Sequence, residues 1–235
     1  MKVEIWSDVV CPWCYVGKRQ FEDALSRFEH RDQVEVEWRS FELDPTTPSR
    51  VGIPMGEILQ RKYGMSADQA EAANRRMTAL AASVGLEYHL DAVQAGNTFD
   101  AHRLIHLAAE GGHGDAMKER LLAAYFTEAR AIGDRATLVE AAADVGLDAD
   151  AVDDVLGGDR FAAEVRADEQ RAQALGVTGV PFFAIDGTYG VAGAQPADVL
   201  LEALEKAWAA SHPLAVVAGS ESGTDSSCTD GACPV

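Results

Sequence analysis

The segment Val3-Glu4-Ile5-Trp6-Ser7-Asp8-Val9-Val10 is apolar enough for a buried strand. It runs without a loop into Cys11-Pro12-Trp13-Cys14, and behind it Phe21, Leu25 and Phe28 recur at helical spacing. A strand that delivers a C-x-x-C to the start of a helix reads as a redox dithiol, and the rest of the chain as support for, or access to, the two sulfurs. The thiolate is the nucleophile in such chemistry. Cys11 falls at the helix start, where backbone N–H groups lack intrahelical partners and favour an anion. The macrodipole contributes only about 0.3–1 kcal/mol, so a hydrogen bond to the Cys11 sulfur from the Cys14 amide or thiol has to supply more. Pro12 fits the first turn, where its missing N–H costs no partner. Cys14 lies one turn on, within reach to close a disulfide after Cys11 has attacked a substrate sulfur. Cys11 is therefore read as the attacking thiol and Cys14 as the resolving thiol. The same spacing also fits half a zinc site, or two reduced core cysteines.

Composition narrows the partners. The 235 residues suffice for one sizeable core, or one domain with a large insert. With 38 acidic and 20 basic residues the formal charge is -18, which argues against nucleic acid or an anionic membrane as a partner. No apolar run is long enough to span a bilayer, and no basic segment with an apolar core opens the chain. The expected compartment is the cytoplasm, where a C-x-x-C is more often catalytic or metal-binding than structural.

Periodicity then orders the elements. The first helix is expected to end near Glu29, and Val34 to Phe41 alternates as a second strand. Leu43-Asp44-Pro45-Thr46-Thr47-Pro48 marks a boundary. From Ile53 to Leu156 the pattern is helical: a capping box of Ser66 and Gln69 opens one helix through Ala82, Asn97 or Thr98 caps another over Phe99 to Ala109, and Met117, Leu121, Leu122, Tyr125 and Phe126 form the apolar face of a third. Asp134 opens a fourth, Asp148 a short fifth, and Asp159 caps a helix that Gly176 ends. Val177 to Ile185 reads as a strand with proline at its start, Asp186-Gly187 as a hairpin turn into Tyr189-Gly190-Val191-Ala192, and Pro196 as an early residue of a last helix carrying Leu200, Leu204 and Trp208. That order is α/β: a thioredoxin-like fold with a large all-helical insertion. The expected division is residues 1–44 and 159–212 for the thioredoxin-like domain, 45–158 for the insertion and 213–235 for a polar, low-complexity tail.

The stretches Ser7 to Lys18, Phe41-Glu42-Leu43-Asp44-Pro45 and Gly179-Val180-Pro181-Phe182-Phe183 resemble the DsbA family of thioredoxin-like oxidoreductases, and within it the cytoplasmic FrnE-like branch. The resemblance spans roughly Lys2 to Trp208. It implies a dithiol–disulfide oxidoreductase or isomerase acting on protein disulfides or thiols, with small thiols such as glutathione as possible partners and no cofactor. It implies a cis peptide bond at Pro181, opposite the cysteines. Val180 is then expected to pair its backbone with an extended substrate, and Pro181 to shape the groove and keep metal away from the sulfurs. The branch also carries Asn97 to Leu104, which puts Asn97 and His102 at the mouth of the site. Read from the residues alone, Asn97 is a helix cap and His102 a packed or surface histidine. Trp13, between the cysteines, offers apolar grip to a substrate chain or is simply a solvent-facing aromatic. Asp8 is either a buried proton acceptor for Cys14 or a capping group.

A second cysteine pair, Cys228-Thr229-Asp230-Gly231-Ala232-Cys233, lies in the tail. Cys228 and Cys233 are read as an accessory redox pair that exchanges with Cys11–Cys14, against metal binding or an inert role. His102 and His106 are four residues apart but lack a carboxylate at matching spacing, so no metal site is expected. Two other functions stay open: a glutathione-dependent small-molecule isomerase or transferase of the same fold, although those enzymes carry serine where Cys11 stands, and a holdase or zinc-binding module.

Overall fold

The computed structural model describes residues 1–213. The tail cysteines Cys228 and Cys233 lie outside that range. A four-stranded sheet in the order β2-β1-β3-β4 holds β1 (Lys2–Ser7), β2 (Glu35–Ser40), β3 (Phe182–Ile185) and β4 (Tyr189–Ala192). β1 runs parallel to β2 and antiparallel to β3, and β3 and β4 form the hairpin. Asp186 and Gly187 both take positive φ, 48° and 62°, as the mirror-image hairpin turn requires.

Both faces of the sheet are covered, which explains the near-continuous apolar character of β1. Val3 and Ile5, with their cross-strand partners Ile185 and Phe183, face α1 (Pro12–Arg27) and α9 (Ala197–Ser211). Phe21 of α1 stacks on Phe183 at 5.6 Å. On the other face Trp6 packs with Ala172 of α8 (Ala162–Ala174), and its indole donates to the Asp168 carbonyl. Glu4 shares that face. It is buried, but Arg39 and Arg171 both pair with it, so its charge is balanced.

Between β2 and α8 come six helices: α2 (Met55–Tyr63), α3 (Ala67–Ser83), α4 (Phe99–Glu110), α5 (Gly114–Phe126), α6 (Arg135–Asp144) and α7 (Ala149–Gly157). The Ser66–Gln69 capping box that opens α3 forms in both directions. Two expectations shift. Asp159 does not cap α8: the helix begins at Ala162, after Phe161 in a left-handed conformation with φ 63°. Residues 177–181 are not strand: β3 begins only at Phe182, because the segment before it leaves the sheet to meet the cysteines.

A cluster of charges ties α1 to α5. The Tyr15 hydroxyl donates to Glu119 Oε1 at 2.6 Å, Arg19 pairs with the same carboxylate, and Lys18 Nζ lies 3.1 Å from its other oxygen. Burial pushes the Glu119 carboxyl up, but the Arg19 and Tyr15 hydrogen bonds and the Lys18 charge outweigh it and hold it down at about 2, against an ordinary 4.5. That shift is worth about 3 kcal/mol if shielded from water. With the side chain one-third open, about 1–2 kcal/mol is the expected loss in Glu119→Gln at neutral pH. The folded-state value is the lower one, so this contribution is present above 4.5 and fades as pH falls toward 2. Urea unfolding of both proteins across that window checks it: the difference must close with acid.

Candidate active site

β1 ends at Ser7, and a turn through Asp8 to Val10 places Cys11 as the N-cap of α1, with Pro12 at the first helical position. Cys11 and Cys14 carry free thiols. Cys11 is 4% exposed and lines a cleft, whereas Cys14 is 1% exposed and sealed behind it. The Cys11 thiol donates to the Val180 carbonyl at 3.5 Å, and the Val180–Pro181 peptide bond is cis. Pro181 is buried against α1: a Cβ on Gly17 would lie 2.8 Å from Pro181 Cγ. Gly17 is thus what allows the helix and the proline loop to come together.

Burial and the proximity of the two sulfurs shift the thiols in opposite directions, Cys14 down and Cys11 up. Burial raises Cys14, but the neighbouring Cys11 sulfur, the Lys118 charge and the Asp8 amide bring it below the usual thiol value. Cys11 is held well above that value, first by the neighbouring Cys14 sulfur, then by burial and the charge of Asp8, against the Cys14 N–H. The Cys14 N–H at the helix start lowers Cys11, as expected of that position, and is outweighed there by burial and the neighbouring sulfur.

Behind Cys14 lies a buried polar cluster. Asp8 accepts from the Leu43 N–H at 2.8 Å, and His102 Nε2 approaches its other oxygen at 3.4 Å, close enough for an ion pair but not aligned for a hydrogen bond. Burial raises the Asp8 carboxyl, and His102, the Leu43 amide and Lys118 more than reverse that, leaving it ionised. Lys118, on α5, is 1% exposed, and its ammonium donates to the Ser7 carbonyl at 3.0 Å. Burial pushes it down to about 8. Ser7 Oγ and Tyr125 Oη are buried with no hydrogen-bond partner.

His102 is therefore inside, against Asp8, and not at the mouth of the site. Asn97 does not line the cleft either: its side chain accepts from the Phe99 N–H at 2.9 Å, capping α4, and donates to Glu42. His106 packs apart from His102, on Ser40 and Asp168. Among the described residues no group of three or more His, Cys, Asp or Glu side chains is placed to hold a metal ion, and no helix is long and apolar enough to cross a membrane.

Two depressions meet at Trp13, Gly179 and Val180, and Cys11 lines the larger. One, of about 550 Å³, lies along Phe182 and Ala194. The other, of about 1040 Å³, runs from Cys11 to α2 and α3, where Ile58, Leu59, Met77 and Leu80 form an apolar wall. Trp13, 49% exposed, stands between them. Lys118, Gly17 and the α2 wall were missed in the sequence. Lys118 had a signal, since it shares a helix face with Leu121, Leu122 and Tyr125.

The family profile described as a DSBA-like thioredoxin domain matches residues 2–205. The uncharacterized protein YwbO of Bacillus subtilis (strain 168) is 30% identical over 204 residues, covering 86% of this chain and 94% of that protein. The crystal structure of a probable DsbA oxidoreductase from Streptomyces coelicolor is 48% identical, with a TM-score of 0.87 over 98% of this chain and 100% of that one. The cytosolic disulfide reductase DsbM from Pseudomonas aeruginosa, solved with GSH, shares the fold at 20% identity, with a TM-score of 0.62 over 88% of this chain and 98% of that one.

Proposed function

The chain belongs to the DSBA-like thioredoxin domain family, whose relatives are disulfide oxidoreductases and isomerases, and from this we propose that it exchanges protein disulfides in the cytoplasm through Cys11 and Cys14. The observation that carries the reading is the placement of Cys11: its thiol lies on the Val180 carbonyl and lines the larger depression, with Cys14 sealed one turn behind. A substrate sulfur can reach the first cysteine and not the second.

In this reading the Cys11 proton leaves the Val180 carbonyl and passes to Cys14. The Cys11 thiolate attacks a substrate sulfur, the substrate S–S bond breaks, and one substrate thiolate leaves. Cys14 then attacks Cys11 Sγ. The mixed disulfide breaks, and the second substrate sulfur departs with the Cys14 proton. Two electrons have passed to the substrate, and Cys11–Cys14 is a disulfide. Val180 aligns the substrate backbone, Pro181 fixes that loop, and Trp13 offers apolar surface on either side of the reacting sulfur. Cys228 and Cys233 belong to the proposal as an accessory pair that re-reduces the disulfide.

Insulin reduction in glutathione buffer tests the reading. Catalysis above the glutathione background is expected. The cleft of about 1040 Å³ favours one competitor, a glutathione-dependent reaction on an apolar small molecule. Failure on insulin and on every protein disulfide, with glutathione-dependent turnover of a small substrate, would replace the first reading by the second.

A further inference from the structure

Helix α2 carries Met55, Ile58 and Leu59 at helical spacing, yet none of its residues is buried. Those side chains line the larger depression together with Met77 and Leu80 of α3. Trp13, Leu43 and Tyr63, three of the five large apolar side chains exposed among the described residues, line it too. Its volume, about 1040 Å³, stands at the upper end of the roughly 300–1,000 Å³ of small-molecule pockets. It also joins the second depression at Gly179 and Val180, beside Cys11. An open apolar cleft that continues past the reacting sulfur suits a stretch of polypeptide better than an enclosed small molecule.

The charges on this cleft run against those of the molecule. The chain has a formal charge of -18, but the cleft is lined by Arg61, Lys62 and Arg76 against Asp8 and Asp44. Asp8 is buried and committed to the Leu43 amide and to His102. Asp44 accepts from Thr46 and lies 3.9 Å from Lys62. Arg61 is paired with Glu57 one turn back. Arg76 differs: its neighbour Arg75 points to Glu71, whereas Arg76 has no carboxylate within 4.0 Å among the described residues. One unpaired cation and one loosely paired cation beside an apolar wall match a ligand that combines apolar surface with negative charge. An acidic protein otherwise repels such a ligand.

We propose that the cleft selects disulfide substrates whose chain carries an acidic side chain among apolar residues beside the half-cystine, and that Arg76 and Lys62 are the residues that determine this specificity. The inference rests on the redox reading above and gives its substrate a chemistry. The apolar residues cover the open face of α2, and the carboxylate meets Arg76 and Lys62 while Cys11 attacks the sulfur.

Symmetric disulfides of short peptides test it, with the cysteine followed by leucines and then by glutamate in one set and glutamine in the other. Reduced protein is mixed with each for a single turnover, and formation of the Cys11–Cys14 disulfide is timed by alkylation and mass spectrometry. Binding is read separately, by fluorescence anisotropy of labelled peptides with serine in place of cysteine. At low ionic strength wild type is expected to exchange with, and bind, the glutamate peptide about threefold to tenfold better than its glutamine counterpart. Molar salt erases the preference. Arg76→Glu reverses it and Lys62→Gln weakens it. Arg75→Glu makes the same charge change on the same helix outside the cleft and leaves the preference in place. All three side chains are exposed, so the variants stay folded. Equal rates and affinities for the two peptides in wild type, or loss of the preference in Arg75→Glu as well, would overturn the proposal. So would equal peptide binding combined with an Arg76-dependent, glutathione-dependent turnover of an apolar carboxylate, which would give the cleft to a small molecule. If the glutamate peptide binds preferentially and no disulfide forms, the redox reading fails and the selectivity of the cleft stands.

Discussion

Serine at Cys11 reduces disulfide exchange to the level of the buffer thiol, whereas serine at Cys14 leaves the first chemical step intact and accumulates a stable mixed disulfide. The asymmetry follows from access. Cys11 opens to the cleft and touches Val180, while Cys14 has no path to solvent except past Cys11. Cys14, sealed behind Cys11, cannot meet a substrate sulfur; it serves first as the group that takes the Cys11 proton and then as the resolving nucleophile. Non-reducing electrophoresis and intact-mass measurement of each variant after mixing with oxidised substrate distinguish the steps. Equal residual insulin reduction in the two variants would contradict the assignment.

Alanine at Gly17 is the second large effect. The exchange favours the helix itself by up to about 1 kcal/mol, since alanine is the better helix former. Against that, the new Cβ meets Pro181 Cγ at 2.8 Å, closer than real Cβ contacts, and the Ala194 backbone at 3.6 Å. A proline ring on the loop that carries Val180 cannot swing aside as a flexible side chain would. Overpacking of this kind costs about 1–3 kcal/mol and displaces the substrate-aligning loop from Cys11. A displacement of that scale lowers turnover by roughly a hundredfold. Gly17→Ala is therefore expected to remain folded and to lose exchange activity while its Cys11 still alkylates. Insulin reduction alongside Cys11 alkylation kinetics tests this; wild-type turnover would show that the loop yields without consequence.

The parts of the fold that depend on local pattern were legible in the sequence. The strand before Cys11, the Ser66–Gln69 box and the Asp186–Gly187 turn each follow from neighbours a few residues apart. Errors arose where a distant contact overrides the pattern. Residues 177–181 look like a strand, yet they leave the sheet to reach Cys11, 169 positions earlier. Asp159 has the composition of a cap, but the left-handed Phe161 delays the helix. In the site, the spacing of Cys11 and Cys14 was visible, and the ammonium of Lys118 on the turn before them was not, because it arrives from a different helix. His102 was placed at the mouth of the site by resemblance and lies inside, since only folding sets Asp8, more than ninety residues away, against its ring. Lys118 was overlooked for a related reason: an apolar helix face hides one lysine among leucines, and only the fold brings its ammonium to the Ser7 carbonyl.

The central claim is that Cys11 and Cys14 act as one two-electron couple. It is tested most directly by titrating the purified protein in glutathione buffers, with alkylation and mass spectrometry to read the state of each cysteine. The account predicts that both thiols disappear together along a single two-electron curve, with a Cys11–Cys14 disulfide at the oxidising end and the dithiol restored at the reducing end. Persistent free thiols at every buffer ratio, or a stable glutathione adduct on Cys11 with Cys14 untouched, would contradict it.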